Sequence, residues 1–206
     1  MLEILLLVLS VCIDSLVASI AYGTNKIKIP LTSAFVISFI CSLFLGASIF
    51  LGSLIKNIMP NNICNYLSFF ILFFIGIYHL FGSIFKSFLQ KRISIDKPYK
   101  FKLFDMNFIL QVYADETKAD FDKSNTLSLK ESIYLAIALS FDSLAIGFGS
   151  SLAMNNYISV VFLSFIVGFL FVILGVLIGR KLVEKSNVNL SWLTGTILII
   201  LAFVRL

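Results

Sequence analysis

The sequence predicts an all-α integral membrane protein of six transmembrane helices, arranged as two inverted three-helix repeats. Three observations lead there. The 206 residues are 59% hydrophobic and only 13% charged, with a mean hydropathy of +1.02, whereas soluble domains lie near half apolar and a quarter charged. The apolar residues fall into six runs, each near the ~20 residues that a helix needs to cross ~30 Å of hydrocarbon. Finally, Cys12-Ile13-Asp14-Ser15-Leu16 is echoed by Ser140-Phe141-Asp142-Ser143-Leu144 at an offset of 128 residues.

Span one runs from Leu2 to Tyr22. It has no basic residue before its apolar run, and Asp14 interrupts it, so it reads as a retained span and not a cleaved signal peptide. Asn25, Lys26, Lys28 and Pro30 make a polar turn into span two, Leu31 to Ile55. Lys56, Asn57, Pro60, Asn61 and Asn62 break the chain before span three, Ile63 to Phe85. A polar segment occupies 86–127, span four runs from Ser128 to Met154, and Asn155-Asn156 leads into span five, Tyr157 to Leu182. After a polar break, span six covers Leu190 to Leu206. The expected organisation is a first repeat over 1–85, a linker over 86–127 and a second repeat over 128–206. Because each repeat has an odd number of spans, the second must enter from the opposite side, a layout recurrent in secondary transporters. Ile49 to Ile55 resembles Val176 to Leu182, with Gly52 matching Gly179, which extends the echo to spans two and five.

Orientation follows from the basic residues. All 16 Lys and Arg except Lys56 and Arg205 lie on the side of the turns after spans one, three and five. That side is expected to be cytoplasmic, with both termini outside in a multi-pass cell-membrane protein. The net charge of +5 is accounted for by this asymmetry, so the expected partners are the lipid bilayer and a transported ion, not nucleic acid. The oligomeric state is left open. Cys12, Cys41 and Cys64 have neither disulfide nor zinc spacing and read as small apolar filler. His79 and Trp192 read as residues of the membrane interface. Gly175 and Gly179 read as a close-packing motif. No nucleophile–base pair, phosphate loop or nucleotide fingerprint is present, so the chain does not read as an enzyme.

Asp14 and Asp142 are the candidate membrane site. A carboxylate in hydrocarbon costs a few kcal/mol or more, which makes an intramembrane acid a functional candidate by default. Beyond each Asp, small residues recur every fourth position: Ser15, Ser19, Gly23 and Ser143, Gly147, Ser151. Residues so spaced share one helix face and let another helix approach closely. Ser10 lies one turn before Asp14, and Ser143 follows Asp142. Carboxylate and hydroxyl oxygens suit hard or borderline cations such as Mg²⁺, Ca²⁺ or Mn²⁺. No His or Met accompanies either Asp in its helix, which argues against a soft-metal site. The alternative is that each Asp makes an interhelical hydrogen bond.

A second candidate cation site is the loop 120–131, with Asp120, Asp122, Ser124, Ser128 and Glu131 at positions 1, 3, 5, 9 and 12 of an EF-hand calcium loop. Thr126 would offer a backbone carbonyl from position 7, and Leu127 fills the apolar position 8. Asn125 stands where the motif has Gly, and Asn tolerates the left-handed conformation needed there. Such a loop without a partner should bind weakly. The same residues also read as a helix start, because Ser128-x-x-Glu131 is a capping box. Upstream, the apolar residues from Phe101 to Val112 among lysines suggest a segment lying on the membrane surface, or a charged tether.

Asp14-Ser15-Leu16, Tyr22-Gly23 with Lys26-Ile27-Lys28-Ile29-Pro30, Ala119 to Ser124, Lys130-Glu131 and Ala138 to Leu144 resemble the MntP-type manganese efflux family, in its YtaF sporulation branch. The resemblance touches both halves and the linker. It implies six helices in two repeats and functional acids in helices one and four at Asp14 and Asp142. A divalent cation, Mn²⁺ or Ca²⁺, is the expected ligand of the two candidate sites. The family carries an acidic residue in helix two, where this sequence has Cys41. Two functions are therefore weighed: a divalent-cation (manganese-like) efflux transporter, and a non-transporting sporulation membrane component responsive to Ca²⁺ through the 120–131 loop.

Overall fold

The computed structural model describes residues 2–56, 58–60, 63–78, 109, 112–113, 119–122, 124–152, 157–182 and 199. They form five principal helices: α1, Leu2–Thr24; α2, Leu31–Lys56; α3, Ile63–Tyr78; α4, Leu129–Ser151; and α5, Tyr157–Leu182. There is no strand among the described residues. Helices α1, α2, α4 and α5 are long and apolar enough to cross a membrane, while α3 is shorter over its described length. The predicted continuation of span three, span six, His79 and Trp192 lie outside the described residues, apart from position 199 in span six.

The bundle has large apolar side chains outside and small or hydroxylic ones inside. Phe35, Phe39, Phe50, Phe162, Leu170 and Leu177 are exposed, whereas Ser10, Ser15, Ser19, Ser38, Ser48, Ser140 and Ser143 are buried. That arrangement suits hydrocarbon surroundings, where close packing and interhelical hydrogen bonds drive helix association. Several of the buried hydroxyls donate to backbone carbonyls. Ser10, Ser19, Ser38 and Ser140 bond within their own helix, to the oxygens of Leu7, Ser15, Ala34 and Ala136. Ser48 reaches Leu144 O across the α2–α4 contact, and Ser68 reaches Gly149 O across α3–α4 at 2.6 Å.

Helix α1 packs chiefly on α5, α2 packs on α4, and α2 also meets α5. Both small-residue stripes lie in these crossings. A Cβ on Gly175 would sit 2.6 Å from Ser19 Cβ and 2.8 Å from Leu16 O. One on Gly147 would sit 3.2 Å from Leu45 O, and one on Gly52 would meet the Ser151 hydroxyl. Gly175 and Gly179 thus serve as the close-packing pair that the sequence suggests, with α1 as their partner.

Helix α1 ends in a Schellman motif. Ile27 N donates to Tyr22 O at 3.0 Å and Lys26 N to Gly23 O at 3.1 Å, with Lys26 in the left-handed region at φ 60°. Pro30 then blocks continuation before α2. Beside this turn lies the 120–127 loop. Lys28 N donates to Asn125 O at 2.8 Å and Leu127 N donates to Lys28 O at 2.9 Å, a parallel bridge between Lys28 and Thr126. Ser33 Oγ adds a bond to Leu127 O at 2.8 Å. Backbone bonds to the α1–α2 turn therefore tie the loop down. Of the linker segment expected to lie on the membrane surface or to act as a charged tether, positions 109 and 112 are described. Ile109 and Val112 are buried in one apolar cluster with Ala18, Tyr22 and Ile37, because core burial satisfies their side chains better than the interface would.

Candidate functional site

The end of α1 and the start of α4 are side by side, so depth can be measured from one level. Asp14 lies ten residues before Thr24, and Asp142 lies thirteen after Leu129. At 1.5 Å rise per residue these are ~15 and ~20 Å from that level, so the two acids lie at similar depths along their helices. Both acids are half-buried, and the neighbouring Ser10 and Ser143 are buried.

The two carboxylates have different surroundings. Asp142 Oδ1 accepts a hydrogen bond from Tyr113 OH at 3.1 Å, and Tyr113 OH lies 3.0 Å from Tyr78 OH. The Tyr113 ring stands edge-on to Phe141, with centroids 6.2 Å apart. A linker residue and the end of α3 thus reach the α4 acid through a chain of phenols. Sequence reasoning missed both tyrosines, since nothing local links positions 78, 113 and 142. In the helices around Asp14, Cys12 of α1 and Cys41 of α2 are buried. Cys41 is also bonded with Ser140, its Sγ 3.8 Å from Ser140 Oγ. A small cavity of about 10 Å³ between α1, α2 and α5 is walled by Cys12, Ser15, Ser38, Cys41, Ser42 and Ser164, together with Val11 and Gly168.

Tyr113→Phe should cost ~1–3 kcal/mol, the penalty of leaving a buried hydrogen-bond partner unsatisfied. The thermal unfolding midpoint of the detergent-solubilised protein, read beside Tyr66→Phe on the exposed face of α3, measures it. An unchanged midpoint would show that the bond contributes nothing.

The loop brings its acids together. Asp120, Asp122 and Glu131 can each present an oxygen within 4.8 Å of the others, the one converging group of three His, Cys, Asp or Glu side chains among the described residues. Asp120 accepts from Ser124 N and Asn125 N, both at 3.2 Å, and Asp122 accepts from Ser124 N at 2.9 Å. Asn125 has φ 58°, the left-handed conformation expected of position 6. Ser124 Oγ donates to Thr126 O at 2.9 Å. Ser128 and Glu131 form the expected capping box: Ser128 N donates to Glu131 Oε2 at 2.7 Å, and Phe121 N donates to Oε1 at 3.1 Å. Burial pushes Asp120 above its ordinary carboxyl value, reinforced by its bond with Asp122 and the charge of Glu131. Asp122 is drawn below its ordinary value by the hydroxyl and amide of Ser124.

Residues 62–206 match the family model described as "Mntp: Putative manganese efflux pump". Over 209 residues the chain is 27% identical to "Probable sporulation protein YtaF" of Bacillus subtilis (strain 168), covering 100% of this chain and 99% of that protein. No solved structure matches it. With apolar helices built to cross a bilayer and a family match over most of its length, this multi-pass membrane protein belongs to the MntP manganese efflux pump family.

Proposed function

We propose that the protein is a secondary transporter that moves a divalent, manganese-like cation out of the cell and serves in sporulation. Asp14 and Asp142 carry the ion, with Ser10 and Ser143 as hydroxyl partners. The observation that supports this reading is the antiparallel placement of the two Asp-bearing helices: α1 ends where α4 begins, with Asp14 and Asp142 at similar distances from that level. Two carboxylates there offset the charge of a divalent ion in surroundings where a lone charge is costly. When the ion leaves, protons neutralise them, so the expected coupling is cation–proton exchange.

The same packing supports six helices in two inverted repeats, 1–85 and 128–206, joined by the linker 86–127. Gly23 of α1 faces Gly179 of α5, and Ser151 of α4 faces Gly52 of α2, so matching positions of the two halves make matching crossings. Rocking one crossing against the other would expose the acids alternately to each side. The basic-residue asymmetry puts the linker in the cytoplasm and both termini outside.

The loop is the second cation position of this reading, through Asp120, Asp122 and Glu131, with Ser124, Thr126 and Ser128 supplying further oxygens. Its backbone bonds to Lys28 favour the second function, a non-transporting sporulation component that senses a divalent ion, because occupancy would be felt at the ends of both α1 and α4.

Manganese accumulation and tolerance in cells lacking their own exporters distinguish the two. Wild type should lower cellular manganese and raise tolerance, and Asp14→Asn/Asp142→Asn should abolish both effects. Equal performance by the double variant would remove the intramembrane site. Absence of any wild-type effect, with the protein present in the membrane, would favour the sensor.

A further inference from the structure

Ile109, Val112 and Tyr113 belong to none of the apolar spans of the sequence, yet they enter the bundle. Ile109 is 3% exposed and Val112 0%, in one buried cluster with Ala18 and Tyr22 of α1, Ile37 of α2 and Leu135 and Ala138 of α4. So anchored, the next residue, Tyr113, donates its hydroxyl to Asp142 Oδ1 at 3.1 Å and sets its ring edge-on to Phe141. Both partners lie well inside α4, which begins at Leu129. We propose that the Tyr113 hydroxyl is an autoinhibitory contact: it occupies the Asp142 oxygen that the cation takes, so cation binding and the Tyr113–Asp142 bond exclude one another. The inference deepens the reading of Asp142 as an ion ligand and rests on it.

The exclusion follows from where the protons are. An ionised carboxylate only accepts, so the bond at Oδ1 commits the Tyr113 proton to Asp142. The hydroxyl of Tyr78, 3.0 Å from Tyr113 OH, then donates to the Tyr113 oxygen, and that second bond strengthens the first. A cation arriving at Oδ1 would meet the positive end of the Tyr113 O–H. The phenol therefore faces the ion site as a donor and has to part from Oδ1 before the ion binds there. Tyr113 is carried by neither α1 nor α4, so this bond can part while the crossings that place the acids stay made. A phenol that merely braced the carboxylate would strengthen ion binding, whereas one that competes for its oxygen weakens it.

Mn²⁺ is the probe. Its binding to the purified full chain in detergent is followed by loss of the paramagnetic resonance signal of the free hydrated ion, counting only the component that Asp142→Asn abolishes. Tyr113→Phe keeps the ring against Phe141 and removes the competing O–H. The ion then has no bond to displace and should bind about tenfold tighter or more than to wild type. Mn²⁺ should also raise the unfolding midpoint of Tyr113→Phe by more than it raises that of wild type. Tyr78→Phe weakens the same bond at one remove, so it should tighten binding about twofold; it carries the test if Tyr113→Phe fails to fold. Tyr66→Phe, on the exposed face of α3, should leave the affinity unchanged. Asp142-dependent binding that is unchanged or weaker in Tyr113→Phe overturns the proposal and leaves Asp142 standing as an ion ligand. Mn²⁺ binding that persists in full in Asp142→Asn removes the ion reading of that acid and this inference with it.

Discussion

Gly179→Val is expected to destroy the α1–α5 crossing and with it the folded protein in detergent. A Cβ at this position would meet Ile20 O, and would lie 2.9 Å from Gly23 Cα and 3.0 Å from Thr24 N. All three neighbours are backbone atoms of α1, so no side chain can swing aside and the helices must separate. Overpacking a core ordinarily costs 1–3 kcal/mol. With backbone on three sides and two further methyls to place, the cost here should reach or exceed ~3 kcal/mol. Parting the helices also withdraws Ser19 from Gly175 and breaks the inner face that carries Asp14. Gly46→Ala is the matched comparison, because its Cβ would meet only the two methyls of Val161, at 3.3 and 3.6 Å. Size-exclusion profiles and unfolding midpoints should show Gly179→Val aggregated or strongly destabilised and Gly46→Ala near wild type. A well-folded Gly179→Val would mean that the crossing is looser than described.

Glu131→Ala should be the most damaging change outside the membrane. The side chain is fully buried, and its two oxygens accept from the backbone amides of Phe121 and Ser128. Removing it strands two amides, each worth ~1–3 kcal/mol when left unsatisfied, so a loss of ~2–5 kcal/mol is expected. Glu131→Gln keeps one carbonyl acceptor and should fall between. The consequence should spread beyond the cap. The loop that Glu131 holds is bonded to Lys28 and Ser33, so the α1–α2 turn should loosen with it. Hydrogen exchange would show this as faster exchange at the amides of Phe121, Ser128, Lys28 and Leu127 together. Faster exchange at Ser128 alone would mean that the cap and the bridge are independent.

Much of the local structure was legible because local rules govern it. Span five is predicted from Tyr157 to Leu182 and found as Tyr157–Leu182, since an apolar run bounded by Asn155-Asn156 and a polar break has no other stable form in lipid. The capping box and the left-handed Asn125 were legible for the same reason: each is decided within a few residues. The pairing of Lys28 with the loop was not, because it uses backbone amides and carbonyls that every residue has. The phenols on Asp142 were not, because they come from α3 and the linker.

The sequence by itself determined that this chain lives in a bilayer, where its long helices begin and end, and which acids must be accommodated within them. Those properties follow from the cost of exposing backbone and charge to hydrocarbon, and each segment meets that cost alone. The tertiary structure alone decided which helices cross, and therefore what stands beside Asp142: the phenols of Tyr113 and Tyr78. Crossings depend on how closely two backbones approach, which is settled by glycines on one helix meeting small residues on another far away in the chain.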